Sequence, residues 1–135
     1  MDKALNYLAL ARKGGRVELG EEPVGAAARI GKAYLMIVAS DAGDHTWRRA
    51  KSYAAGTQQQ CVRVKYTKDE LGFAIGRTSL AMAAFTDAAL ALAFVKATAN
   101  PQAELIEALE AKAKRLQSRQ QEAKAHQRNV RKGKK

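Results

Sequence analysis

The chain has 135 residues, with 24 Lys+Arg against 13 Asp+Glu, giving a formal net charge of +11 and a pI near 10.0. At 47% hydrophobic and 27% charged it reads as one basic domain able to bury its own core. No apolar run reaches the roughly 18 residues of a membrane span, because the longest, 80–95, is alanine-rich and broken by Thr86 and Asp87. The opening residues read as an amphipathic helix rather than a signal peptide. The single cysteine, Cys61, cannot form an intramolecular disulfide, so a reducing, cytoplasmic setting is expected.

In chain order, Asp2 is placed to cap a first helix with Leu5, Leu8 and Ala9 on one face, stopped by Gly14 and Gly15. A short extended piece, 16–19, follows. Gly20, Glu21, Glu22 and Pro23 read as a second helix start, since carboxylates favour the positive helix terminus and a first-turn proline loses no hydrogen bond. Val24, Ala27, Ala28 and Ile30 form its expected apolar face, and Gly31 its end. Residues 34–39 (YLMIVA) are an unbroken apolar run, the pattern of a central strand covered on both faces. Trp47, Ala50, Tyr53 and Ala54 recur at helical spacing.

Residues 61–66 alternate, with Val62, Val64 and Tyr66 opposite Cys61, Arg63 and Lys65, and so read as a strand with one more exposed face. Cys61 itself is expected to be a small buried hydrophobe. Thr67 and Glu70 have capping-box spacing at the start of a short helix ending at Gly76. Residues 80–85 are again strand-like. Thr86 and Asp87 then cap a helix carrying Leu90, Ala91, Phe94 and Val95 as far as Asn100 and Pro101. Alternating strands and helices predict an α/β sheet sandwiched between helices over residues 1–100.

Residues 101–135 differ in kind: Ala, Glu, Lys, Gln and Arg dominate, and a helix is expected. Ile106, Leu109, Ala113, Leu116, Gln120 and Ala123 form a thin seam suited to packing on the domain rather than to a coiled coil. Charge is concentrated here. Residues 1–100 hold 14 bases and 9 acids, whereas the extension holds 10 and 4, and from Ser118 onward seven cations face only Glu122. Such a run is drawn to polyphosphate by counterion release, and from about His126 the chain is expected to stay free until it meets RNA.

Catalytic chemistry has few candidates. His45 and His126 lie in unlike segments, and no Cys-x-x-Cys, His-Glu-x-x-His, Gly-x-Ser-x-Gly or phosphate-loop signature is present. Neither enzyme, metal site nor cofactor is expected.

Four stretches carry a resemblance: Leu8 to Gly15 (LALARKGG); Gly20, Glu21 and Glu22 with the helix to Gly31, Lys32 and Ala33; the strand 35–39 leading into Ser40, Asp41 and Ala42; and Thr67 to Arg77 (TKDELGFAIGR). With Phe85, Thr86 and Asp87, their order resembles the bacterial, YlxQ-type branch of the ribosomal protein L-seven-Ae/L-thirty-e family of kink-turn RNA binders, over about residues 3–97. The resemblance implies a three-layer α-β-α sandwich with a four-stranded mixed sheet, to which the sequence adds a basic helical C-terminal extension. It further implies a non-catalytic, monomeric RNA binder whose partners would be ribosomal RNA and the ribosome or its assembly factors.

In that family a Gly-x-Asn-Glu-x-x-Lys segment opens the second helix and meets the kinked RNA. Here Gly20 is retained, while Glu22, Pro23 and Ala26 replace the Asn, Glu and Lys. A carboxylate at Glu22 can accept from base amino groups but repels phosphates. The RNA-binding set the resemblance implies is Gly20, Glu21 and Glu22, with Lys13 and Arg16 beside that turn, Lys32 after the second helix, Lys68 opening the fourth, and Arg77, Thr78 and Ser79 before the last strand. All are expected around one end of the sandwich. The rival readings are a protein-interaction module docking a partner through the 106–116 seam, and an RNA-modifying enzyme.

Overall fold

A computed structural model describes residues 2–98 and 103–133. Its elements are α1 (Lys3–Lys13), β1 (Val17–Leu19), α2 (Glu21–Arg29), β2 (Leu35–Val38), α3 (Asp44–Ala54), β3 (Gln60–Arg63), α4 (Lys68–Ala74), β4 (Met82–Phe85), α5 (Ala88–Ala97) and α6 (Ala103–Gly133). The expected stop at Asn100 and Pro101, and the terminal Lys134 and Lys135, lie outside the described residues.

The four strands form one mixed sheet in the order β1-β4-β2-β3. β4 is antiparallel to both β1 and β2, whereas β2 and β3 run parallel, with α3 as the crossover a parallel pair requires. β2 and β4 are central and all eight of their residues are buried, which is what an apolar run without alternation demands. Helices α2 and α3 pack on one face; α1, α4 and α5 lie on the other, with α6 against α5. The architecture is the three-layer α-β-α sandwich, and its core centres on Leu8, Leu35, Met36, Ile37, Met82, Phe85 and Phe94.

Local chemistry sets the helix starts. The Asp2 carboxylate accepts from the Ala4 N–H at 2.7 Å. Thr67 and Glu70 form the reciprocal capping box, at 3.2 and 3.1 Å. Asp87 accepts from the Leu90 N–H at 3.0 Å and also pairs with Arg16, tying the start of α5 to the turn before β1. The Ala4 N–H holds the Asp2 carboxyl below the usual carboxylate range.

Several expectations need correction. α1 buries Ala4, Leu5, Leu8 and Ala11, leaving Ala9 half-buried. Ile30 is 69% exposed, because as the residue after α2 it falls about 120° round the helix from Val24. Cys61 is half-buried rather than buried, since β3 is an edge strand. α6 is helical through Gly133 where a free end was expected from about residue 126. Once its first turns are docked, each further Ala, Gln, Glu, Lys or Arg adds a helical hydrogen bond without a new nucleation cost.

Candidate nucleic-acid interface

The sheet has two unlike ends. The upper end collects the C-termini of β1, β2 and β3, the N-terminus of β4, and the starts of α2, α3 and α4. Gly20 bridges β1 to α2 with φ +98°, a conformation L side chains rarely adopt. Its N–H donates to the Met82 carbonyl at 2.9 Å. The segment that follows is shaped by packing. A Cβ on Gly25 would sit 2.8 Å from the Tyr53 ring, and the Tyr53 hydroxyl donates to the Glu21 carbonyl at 3.4 Å.

Across this end, Asp41 accepts from the Lys68 N–H at 2.8 Å, and the Lys68 carbonyl accepts from Leu80 N–H at 3.0 Å. The Arg77 N–H donates to Gly72 at 2.8 Å. These bonds bring Gly20, Glu21, Glu22, Lys68, Arg77, Thr78 and Ser79 to one rim. Six carboxylates (Glu21, Glu22, Asp41, Asp44, Asp69 and Glu70) share its turns and helix starts with Lys65, Lys68 and Arg77. The rim is acidic.

Lys13, Arg16 and Lys32 are not there. The Arg16 carbonyl accepts from Thr86 N–H at 2.9 Å, at the end of β4 opposite Met82, and the Tyr34 N–H donates to Phe85 at 3.0 Å. Four residues of extended chain separate Arg16 from Gly20, about 13 Å, and α2 likewise carries Lys32 from one end of the sheet to the other. The expected single ring of site residues is therefore split in two, because the strand and helix next to the Gly20 turn each traverse the layer. The turns of the lower end hold Arg12, Lys13, Arg16, Arg29 and Lys32, all exposed, with Asp87 as the acid among them.

α6 runs from the end of α5 back across this lower end. Leu105 and Leu109 are buried, and Glu110 pairs with Lys96 at 3.2 Å. Further along, Ala113, Leu116, Gln117 and Gln120 join Arg16, Tyr34, Asp87 and Ala88 around a groove of about 630 Å³. A second groove, of about 320 Å³, is lined by Arg29, Gly31, Tyr34, the Gln58–Gln60 segment and, from α6, Ala108, Leu109 and Lys112. The Lys112 ammonium lies 5.6 Å from the Tyr34 ring centre. The seam expected to meet either the domain or a partner thus meets the domain from Ile106 to Leu116, while Gln120 and Ala123 stay exposed.

Sequence reasoning passed over Arg29, Tyr34 and Lys112, whose partners lie far off in the chain. It also passed over Trp47, a half-buried ring with Arg63 5.2 Å and Lys51 5.6 Å from its centre. Burial pushes the nearby Cys61 thiol up to about 11, against the pull of Lys51. Burial and the neighbouring Asp2 carboxylate likewise push the Tyr66 phenol up. Among the described residues, no group of three or more His, Cys, Asp or Glu is placed to hold a metal ion. No helix among them is long and apolar enough to cross a membrane.

Two of the solved structures similar to this chain are informative. A protein with unknown function from Bacillus halodurans C is 29% identical, with a TM-score of 0.66, over 79% of this chain and 99% of that one. The 15.5kD RNA binding protein of Giardia lamblia is 20% identical, with a TM-score of 0.60, over 81% of this chain and 86% of that one, a likeness of fold. No protein-family model and no curated protein matches the chain.

Proposed function

We propose that this chain is a non-catalytic RNA-binding protein of the ribosomal L-seven-Ae/L-thirty-e type. It acts in the cytoplasm on ribosomal RNA, on the ribosome or with its assembly factors. One observation carries the reading: a surplus of solvent-facing cations on this sandwich. Against the net charge of +11, the ion pairs among the described residues are three: Arg16 with Asp87, Lys65 with Asp2, and Lys96 with Glu110. Unpaired exposed cations are what a polyphosphate needs in order to release its counterions. The Giardia neighbour, itself an RNA binding protein, has the same fold and adds support.

The Gly20 rim speaks against kink-turn recognition by this chain. Its carboxylates repel phosphate, and Ala26 offers no cation where the family has one. Purified protein should bind fragmented ribosomal RNA at low salt, with log affinity falling linearly against log salt. Removing residues 118–135 should lower that slope. Absence of binding at low salt would end the proposal.

A second reading rests on Phe73, 74% exposed beside a groove of about 770 Å³ formed with Leu5, Tyr66, Lys65 and the carboxylates Asp2, Asp69 and Glu70. Such a ring could anchor a protein partner. A partner captured after nuclease treatment and lost in Phe73→Ala would favour it.

A further inference from the structure

The acidic upper rim and the basic lower end cannot serve a polyanion equally. We propose that the RNA backbone lies in the cleft between the C-terminal end of α2 and one flank of α6, so that the extension forms a wall of the binding site. This rests on the RNA-binding reading above and gives it a location away from the Gly20 rim.

The cleft is built from both sides. Its inner wall carries Arg29, in the last turn of α2, and then Lys32, just past Gly31. Both are exposed, and Arg29 and Gly31 line the 320 Å³ groove. Its outer wall is fixed by Lys112, which lines the same groove and approaches Tyr34. Arg115 and Arg119 follow at i+3 and i+7 from Lys112, about 60° and 20° further round the helix from the seam of Leu109, Leu116 and Gln120, and continue this flank onto the adjoining surface of α6 with Lys114, Ser118 and Glu122. Both arginines are exposed.

No acid–base pair among the described residues engages any of these five cations. One carboxylate, Glu122, a turn beyond Arg119, lines that adjoining surface together with Arg115 and Arg119. Like charges on two facing walls repel one another across the groove, and a phosphate chain between them relieves that repulsion. Gln58, exposed at the cleft floor, can meet sugars or base edges with both donor and acceptor.

The test compares two double variants that remove the same charge. Arg29→Gln with Lys112→Gln changes the cleft, and Lys68→Gln with Arg77→Gln changes the upper rim. A second cleft pair, Lys32→Gln with Arg115→Gln, leaves the Lys112–Tyr34 contact intact. Binding of a fluorescein-labelled hairpin RNA and of fragmented ribosomal RNA is titrated across salt, with thermal melting as the check on folding. Each cleft pair should lower the salt slope by about two and weaken binding on the order of tenfold at low salt, while the rim pair moves neither. Wild-type binding with unchanged cleft variants, or an equal loss in the rim variant, overturns the location and leaves RNA binding standing. Absence of wild-type binding overturns both.

Discussion

Truncating one buried leucine on α6 tests whether the extension is part of the folded unit. Leu109 is 1% exposed, packed between α5 and the lower end of the sheet, while Leu116, two turns along the same seam, is only half-buried. Leu109→Ala removes three buried carbon groups, about 2.4 kcal/mol at roughly 0.8 per methylene, before any cavity cost. A helix on the surface can settle into the gap, so the total should fall near the lower limit for such changes, about 2–3 kcal/mol. Leu116→Ala, giving up partly solvated carbons, should cost about 1 kcal/mol or less. Native-state hydrogen exchange separates undocking of α6 from unfolding of the whole chain. In Leu109→Ala the amides of α6 should exchange on the order of fiftyfold faster, with those of β2 and β4 much less affected if opening is local. Equal effects of the two substitutions, or none from Leu109→Ala, would refute the docked arrangement and with it the outer wall of the proposed cleft.

Other consequences follow from single contacts. A methyl at Gly72 would lie 2.7 Å from Ser79 N, 2.8 Å from Ser79 Cα and 2.9 Å from the Arg77 carbonyl oxygen. All three are backbone atoms, so Gly72→Ala should destabilise by about 1–3 kcal/mol, and an unchanged denaturation midpoint would show that the loop yields freely. Thr67→Ala breaks one half of the capping box and should cost about 1 kcal/mol by urea denaturation, whereas Thr67→Ser should restore most of it. The Cys61 thiol, pushed up to about 11, should react with aromatic disulfides only slowly at neutral pH and faster with each unit of pH towards that value. A rate that levels off by pH 9 would contradict the burial. Because the folded Asp2 carboxyl titrates below its unfolded value, its contribution is present above the ordinary carboxylate range and is lost as pH falls through the lowered folded value. Asp2→Asn, which keeps a capping oxygen, should therefore flatten that part of the acid-denaturation curve, and an unchanged curve would remove Asp2 from it.

Much of the fold is legible where local chemistry decides it. Asp2, Thr67 and Asp87 announce their helices because each hydroxyl or carboxylate satisfies a backbone donor within three residues. The two apolar runs announce central strands because both faces of β2 and β4 are covered. Where burial depends on distant partners the reading slips. Cys61 alternates as a strand residue should, but nothing local marks β3 as the sheet edge. Leu105 carries much of the α6 docking yet escapes a seam counted from Ile106, because the repeat can be read in either phase.

The candidate site is harder to read for a reason built into this architecture. Every element crosses the layer, so residues a few positions apart face opposite ends, as Arg16 and Gly20 do. The electrostatic split between the ends has a local origin all the same. Helices α1, α2, α3 and α4 begin at the upper end, and the carboxylates Asp2, Glu21, Glu22, Asp44, Asp69 and Glu70 gather there because the positive helix terminus favours them. The last turns of α1 and α2 bring Arg12, Lys13 and Arg29 to the lower end for the opposite reason. α5 runs the other way, and the charges at its two ends both find partners: Asp87 pairs with Arg16 and Lys96 with Glu110. Helix stabilisation alone thus gives the domain a polarity, and α6 adds Lys112, which no carboxylate pairs among the described residues, to the end that is already positive. A surface first charged to stabilise helices becomes, with one more helix laid across it, a surface suited to phosphate.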